Sequence, residues 1–137
     1  MGLILDSSVL VAAERQGQSA RQALETIAPK IGNVEIAISV LTVMELAHGV
    51  ARANTPERQA RRRQFVDDLM GAVPLHPITP AIALQAGLLD GESQAQGVRI
   101  PLADLLIGVT ARELGYSVGT SNPRHFDLVP GLAVVRL

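Results

Sequence analysis

Three acidic residues stand in settings where a carboxylate is costly unless it has a task. Asp6 closes the apolar run Gly2-Leu3-Ile4-Leu5. A carboxylate at the end of a buried segment has to cap a helix, pair with a cation or hold a metal to offset its desolvation. Asp104 sits in Pro101-Leu102-Ala103-Asp104-Leu105-Leu106-Ile107. A first-turn acid gains at most ~1 kcal/mol from the helix dipole, and the flanking Leu and Ile suggest a mostly buried helix, where a lone carboxylate needs a proton or a cation. Glu45 lies in Ser39-Val40-Leu41-Thr42-Val43-Met44-Glu45-Leu46-Ala47-His48, and at helical spacing shares one polar stripe with Thr42, Gly49 and Arg52. Carboxylates gathered together repel one another and need a divalent cation, and hard oxygen ligands suit magnesium or manganese. The chemistry open to such a site is hydrolysis by a metal-activated water.

Each acid also has a plainer reading. Asp6 is placed to cap the following helix, Glu45 to line an ordinary solvent stripe, and Asp104 to answer the helix dipole. The pair Glu45-x-x-His48 is half of a di-iron carboxylate motif, but that architecture needs the motif twice and it occurs once. A fourth segment runs Gly119-Thr120-Ser121-Asn122-Pro123-Arg124-His125-Phe126. Thr120 ends a strand there and Asn122-Pro123 turns the chain. Asn122 offers an oxygen to a metal or its water. His125 is suited either to proton transfer or to a quiet place beside Phe126. Basic charge is nearly all arginine, with Lys30 the single lysine. Arg52, Arg58, Arg61, Arg62 and Arg63 crowd one stretch, either to meet phosphates or as a solvated helix face diluted by Asp67 and Asp68.

The elements that position these groups follow from pattern and punctuation. Gly2–Leu5 reads as a strand buried on both faces, and Ser7 or Ser8 as the cap of a helix over Val9–Glu14. A helix fits Ala20–Ile31, a strand Glu35–Ile38, and a helix capped by Ser39 runs to about Arg52. Asn54-Thr55-Pro56 opens the arginine-rich helix, which runs to about Met70. Ala72–His76 reads as a strand, Thr79-Pro80 opens a helix to about Gln96, and Pro101 starts one to Leu114, stopped by Gly115. Tyr116–Thr120 and Leu132–Val135 are the last strands. Alternating short strands and helices predict an α/β fold in three layers, α/β/α, around a central, mainly parallel sheet. No linker, repeat or low-complexity stretch breaks the pattern, so residues 1–137 read as one domain.

With 137 residues, 47% of them hydrophobic, but two Phe, one Tyr and no Trp, the chain is predicted to bury an aliphatic core. The absence of cysteine excludes disulfides, thiolate nucleophiles and thiolate zinc or iron–sulfur sites. Neither a basic leader nor a long apolar segment stands at the N-terminus, so a cytoplasmic protein without a membrane span is the expectation. An aspartyl phosphatase built on Asp6 would want a second acid two residues on, where Ser8 stands.

Four blocks, Leu3–Leu10, Ile38–Leu46, Ile100–Ile107 and Thr120–Phe126, resemble in order the motif blocks of PIN-domain nucleases, most of all the VapC-type toxins of toxin–antitoxin pairs. The resemblance spans nearly the whole chain. It implies a PIN fold, magnesium- or manganese-dependent endoribonuclease activity, frequent homodimerisation and inhibition by a small VapB-type antitoxin. Asp6, Glu45 and Asp104 match the family's acidic positions. The roles expected are Asp6 and Asp104 on the metal, Glu45 as base or orienter of water, and Asn122 completing the outer shell, with Ser7 and Thr120 as supporting donors. A further acid is common in the final block; here Asn122 and His125 stand in that region, which lowers the local negative charge and weighs against a fully occupied second metal site. A non-catalytic PIN-like module that binds RNA or protein is the alternative reading.

Overall fold

The computed structural model describes residues 1–137. In chain order the elements are β1 (Gly2–Leu5), α1 (Ser7–Arg15), α2 (Ala20–Ile31), β2 (Glu35–Ser39), α3 (Val40–Ala51), α4 (Pro56–Ala72), β3 (Leu75–His76), α5 (Pro80–Ala95), α6 (Leu102–Leu114), β4 (Ser117–Thr120), a 3-10 turn (Phe126–Leu128) and β5 (Val134–Arg136). The five strands form one sheet in the order β3-β2-β1-β4-β5, and every pairing is parallel. The sheet expected to be mainly parallel is wholly so.

Alternation along the central strand explains the layers. Leu3 and Leu5 of β1 point into a core built with Leu10, Ala13, Ala23, Ile27, Leu46, Phe65 and Leu69, from α1 to α4. Ile4 points the other way, onto Ile107 and Ala111 of α6 and onto Phe126. Helix α5 then packs Ile82, Ala86 and Leu89 against Leu105 and Val109 on the outer side of α6. Capping fixes where the helices start. The Ser19 hydroxyl and Gln22 side chain form a reciprocal capping box, and Thr55 and Thr79 each accept from the third residue of a helix opened by proline. Gly115 ends α6 at φ 71°, in the left-handed region that glycine enters without strain.

Four expected boundaries move. Helix α1 begins at Ser7, so Ser7 and Ser8 lie inside it rather than capping it, and Asp6 takes the N-cap position. The third strand shortens to Leu75–His76 because α4 continues through Gly71 and Ala72, with the Val73 N–H still bonded to the Leu69 carbonyl. Tyr116 leaves β4 because its N–H closes the end of α6 on the Ala111 carbonyl at 2.8 Å. Leu132 leaves β5 because its N–H turns back to the Val129 carbonyl and its side chain joins the α6 clusters.

Candidate active site

In open parallel sheets, function gathers beyond the carboxyl ends of the strands, and there Asp6 leaves β1. Its backbone is extended, as an N-cap requires, yet its side chain caps nothing. Oδ2 instead accepts from the Ser8 hydroxyl at 2.8 Å and the Thr120 hydroxyl at 3.0 Å. Each hydroxyl in turn accepts a main-chain N–H: Ser8 from Ser121 at 3.3 Å, Thr120 from Asn122 at 3.0 Å. The two hydroxyls also lie 3.2 Å from each other, so Asp6 Oδ2, Ser8 and Thr120 form one compact hydrogen-bonded group. The Asp6 N–H is itself tied to the Gly119 carbonyl at 2.9 Å. Asp6 is only 6% exposed, so this arrangement fixes a buried carboxylate through one oxygen and leaves Oδ1 without a partner from the chain.

Glu45 projects from α3, one turn after Thr42, whose buried hydroxyl donates to the Leu5 carbonyl at 3.4 Å. Oε1 of Glu45 is enclosed and has no hydrogen-bond partner. The group is pushed to a higher pKa first by burial, then by the charge of Asp6 and, to a lesser degree, of Asp104, against the opposing Ser7 hydroxyl. Asp104, in the first turn of α6, is also raised, chiefly by burial and further by the charge of Asp6, while a hydrogen bond from His125 pulls it down. His125 Nδ1 lies 2.8 Å from Asp104 Oδ2. Three carboxylates from three elements are therefore close enough to feel one another's charge, and the space between them is the hollow of the candidate site. They do not close on a common point: no three acidic or imidazole groups stand near enough to enclose an ion by themselves. A cation seated there would draw the carboxylates inward or keep much of its water.

The sequence-predicted groups are thus partly brought together. Asp6, Glu45 and Asp104 share the hollow, Thr120 supports Asp6, and Ser7 faces Glu45. Asn122 is exposed; its N–H bonds Thr120, and its side chain makes no hydrogen bond to the acids. Within that final block His125 is the residue that reaches them. Sequence reasoning misses Ser8 as a partner of Asp6; the signal is its place two residues on, where a short hydroxyl side chain bonds back to a preceding aspartate.

Residues 3–132 match the family model of the PIN domain. Ribonuclease VapC1 of Rickettsia felis is 30% identical over 135 residues, covering 98% of this chain and 96% of its own length. The tRNA(fMet)-specific endonuclease VapC of Shigella flexneri is 29% identical over 98 residues, 72% of each chain. Among solved structures, a chain of Rickettsia felis VapBC2, crystallised with a DNA fragment from its promoter, aligns with a TM-score of 0.82 at 23% identity, covering 100% of this chain and 99% of that one. That match is a likeness of fold, and the strand order and helix layers described above are what it shares. On the length of the family match and the identity to VapC1, the chain belongs to the PIN-domain family, among the VapC-type ribonucleases.

Proposed function

We propose that this chain is a metal-dependent endoribonuclease, the toxin of a VapBC-type pair, and that it hydrolyses RNA phosphodiesters in the hollow between Asp6, Glu45 and Asp104. The observation that carries the reading is the enclosed, unpartnered Oε1 of Glu45 beside two further carboxylates. A buried polar atom without a partner costs about 1–3 kcal/mol, and mutual repulsion adds to that cost. A structure retains such a group when something absent from the free chain satisfies it.

The donor set fits magnesium or manganese. It consists of carboxylate oxygens with no thiolate, and magnesium is commonly held through only one or two carboxylates while keeping several waters. Asp6 and Asp104 would hold the ion, each with one oxygen already fixed by the chain and the other free. A bound ion would supply Lewis-acid polarisation of a phosphoryl oxygen and acidify water at neutral pH. Glu45 would orient the attacking water and take its proton, a task that a raised carboxylate pKa favours. As the water oxygen bonds to phosphorus, one ester P–O bond breaks and the departing oxygen is protonated from solvent. Ser8 and Thr120 keep Asp6 in place and His125 keeps Asp104 in place, the supporting contacts that ligating carboxylates require. Asn122, exposed with its amide free, would serve a water of the outer shell.

A VapB-type antitoxin is the partner this reading assigns, supported by the fold shared with VapBC2. A homodimer is part of the same proposal, and Leu84 and Leu88, 61% and 54% exposed one turn apart on α5, give it an apolar face. No helix is long and apolar enough to cross a membrane, and we place the protein with its RNA substrate in the cytoplasm. The test is cleavage of an RNA panel with and without EDTA, alongside Asp6→Asn and Asp104→Asn. Abolished cleavage in EDTA and in both variants is expected; undiminished cleavage removes the mechanism. The acids' failure to close on one point favours a second reading, a non-catalytic binding module. No heat on titrating millimolar magnesium or manganese, together with no cleavage, would select it.

A further inference from the structure

A basic cleft opens one helical turn beyond Glu45. It is lined by Glu14, Arg15 and Gly17 around the end of α1 and by Arg58, Arg61 and Arg62 in the first two turns of α4, with no apolar side chain, and encloses about 250 Å³. It shares Glu14, Arg15 and Arg62 with the adjoining cavity that reaches Glu45. Arg62 is the fixed member: it donates to the Gly49 carbonyl at 2.8 Å and lies 3.7 Å from Glu14. Gly49 follows Glu45 on α3 by one turn, about 6 Å of helix rise. Arg58 meets only the neutral Asn54 oxygen, at 3.2 Å. Arg15 and Arg61 are exposed and pair with no carboxylate.

Folding accounts for Arg62, through Gly49 and Glu14, but not for Arg58 and Arg61. Arg58 stands in the first turn of α4, where the helix dipole favours anions and a cation is disfavoured by about 0.3–1 kcal/mol, whereas Arg15 closes α1, where a cation is favoured. Arg63, by contrast, pairs with Asp67 one turn on, at 3.1 Å, as an ordinary solvated face does. A chain of net charge −1 has set four guanidinium groups against one carboxylate beside a hollow of three acids. We propose that this cleft is a phosphate-binding subsite for the RNA strand next to the scissile bond. Arg15, Arg58 and Arg61 take backbone phosphates, for which the guanidinium fork is suited, and Arg62 fixes the wall between subsite and hollow. Such contacts set register and carry no base information. The inference rests on the nuclease reading and extends it by saying where the flanking strand runs.

The test is fluorescence anisotropy of a labelled dodecauridylate in EDTA, so that cleavage does not intervene, over a range of KCl concentrations. Wild type is compared with Arg15→Ala/Arg61→Ala, with the paired lysine substitutions, and with Arg21→Ala on α2 as a control. Arg15 and Arg61 have no partner in the chain to lose, so the fold is expected to survive. The double alanine variant should bind about tenfold more weakly at low salt, with a salt slope shallower by about 0.7 for every phosphate that is no longer neutralised. It should raise KM for cleavage more than it lowers kcat, while lysine restores most of the binding and Arg21→Ala changes nothing. Unchanged RNA affinity and slope overturn the subsite while leaving the nuclease intact. Unchanged RNA affinity with weakened binding of a dodecaglutamate peptide also overturns it, in favour of an acidic protein segment. A wild type that neither binds nor cleaves RNA overturns both readings.

Discussion

Replacing Thr120 with valine tests whether Asp6 is held as described. Thr120 is fully buried and its hydroxyl donates to Asp6 Oδ2 at 3.0 Å. Valine keeps the branched shape, so no cavity forms, and removes one hydrogen bond to a charged group, worth about 1.5–3 kcal/mol. Ser8 still donates to the same oxygen, so the carboxylate is not stranded. The Asn122 N–H, on an exposed residue, turns to water. The added methyl recovers a little apolar burial, which sets the expected loss near ~2 kcal/mol. For 137 residues, an unfolding entropy of about 2.1 cal/mol/K per residue converts that to a fall of about 7 °C in Tm. Thr120→Ser keeps the hydroxyl and deletes one buried methyl, worth roughly 1 kcal/mol or about 3–4 °C. The two variants should diverge in function. Calorimetric titration with magnesium should show affinity reduced about 10–100-fold in the valine variant and near wild type in the serine variant. A valine variant whose Tm and magnesium affinity both match wild type would refute the view that this hydroxyl orients the carboxylate.

Three further expectations concern the other walls of the hollow. Glu45 and Asp104 hold protons more tightly in the folded chain than in the unfolded one, so their contribution to the metal-free fold is complete below the ordinary values of 4.5 and 3.8 and is lost as pH rises through the raised values. Glu45→Gln should therefore raise Tm in EDTA near neutral pH and leave it unchanged well below the ordinary value, a difference that calorimetry across pH would show and that saturating magnesium should cancel or reverse. His125→Ala frees Asp104 from its only hydrogen bond in the chain; magnesium affinity is expected to drop about 10–100-fold, and an unchanged titration would discount the contact. Leu84→Glu with Leu88→Glu should turn a dimer into a monomer by light scattering without lowering helix content; a wild type that is monomeric at high concentration would remove that face from consideration.

The architecture was legible in the sequence because its signals are local. The run Gly2–Leu5, the prolines at the starts of α4 and α5, and Gly115 after α6 each specify structure within a few residues. The acids were legible for a related reason, since a carboxylate among Leu and Ile announces its own cost. What was not legible is who partners whom. Ser7 and Ser8 are both suited to capping, and only the arrival of β4 beside β1 decides that Ser8 and Thr120 share Asp6. Thr42 stands on a stripe that reads equally well as solvent-facing, yet it is buried because α3 returns over the end of β1. Asn122 and His125 are equal candidates on chemistry. The 3-10 turn at Phe126 turns His125 toward Asp104 and leaves Asn122 at the surface, a choice set by the burial of Phe126 against α6.

The central position of β1 has a consequence for how such a protein comes into being. The threonine that secures Asp6 lies 114 positions after it in the chain, and the imidazole that secures Asp104 lies beyond that threonine. A nascent chain that stops before β4 lacks both the Thr120 hydroxyl that secures Asp6 and the His125 imidazole that secures Asp104. The arrangement of acids therefore depends on a pairing between distant parts of the chain and cannot form until β4 has been made to lie beside β1.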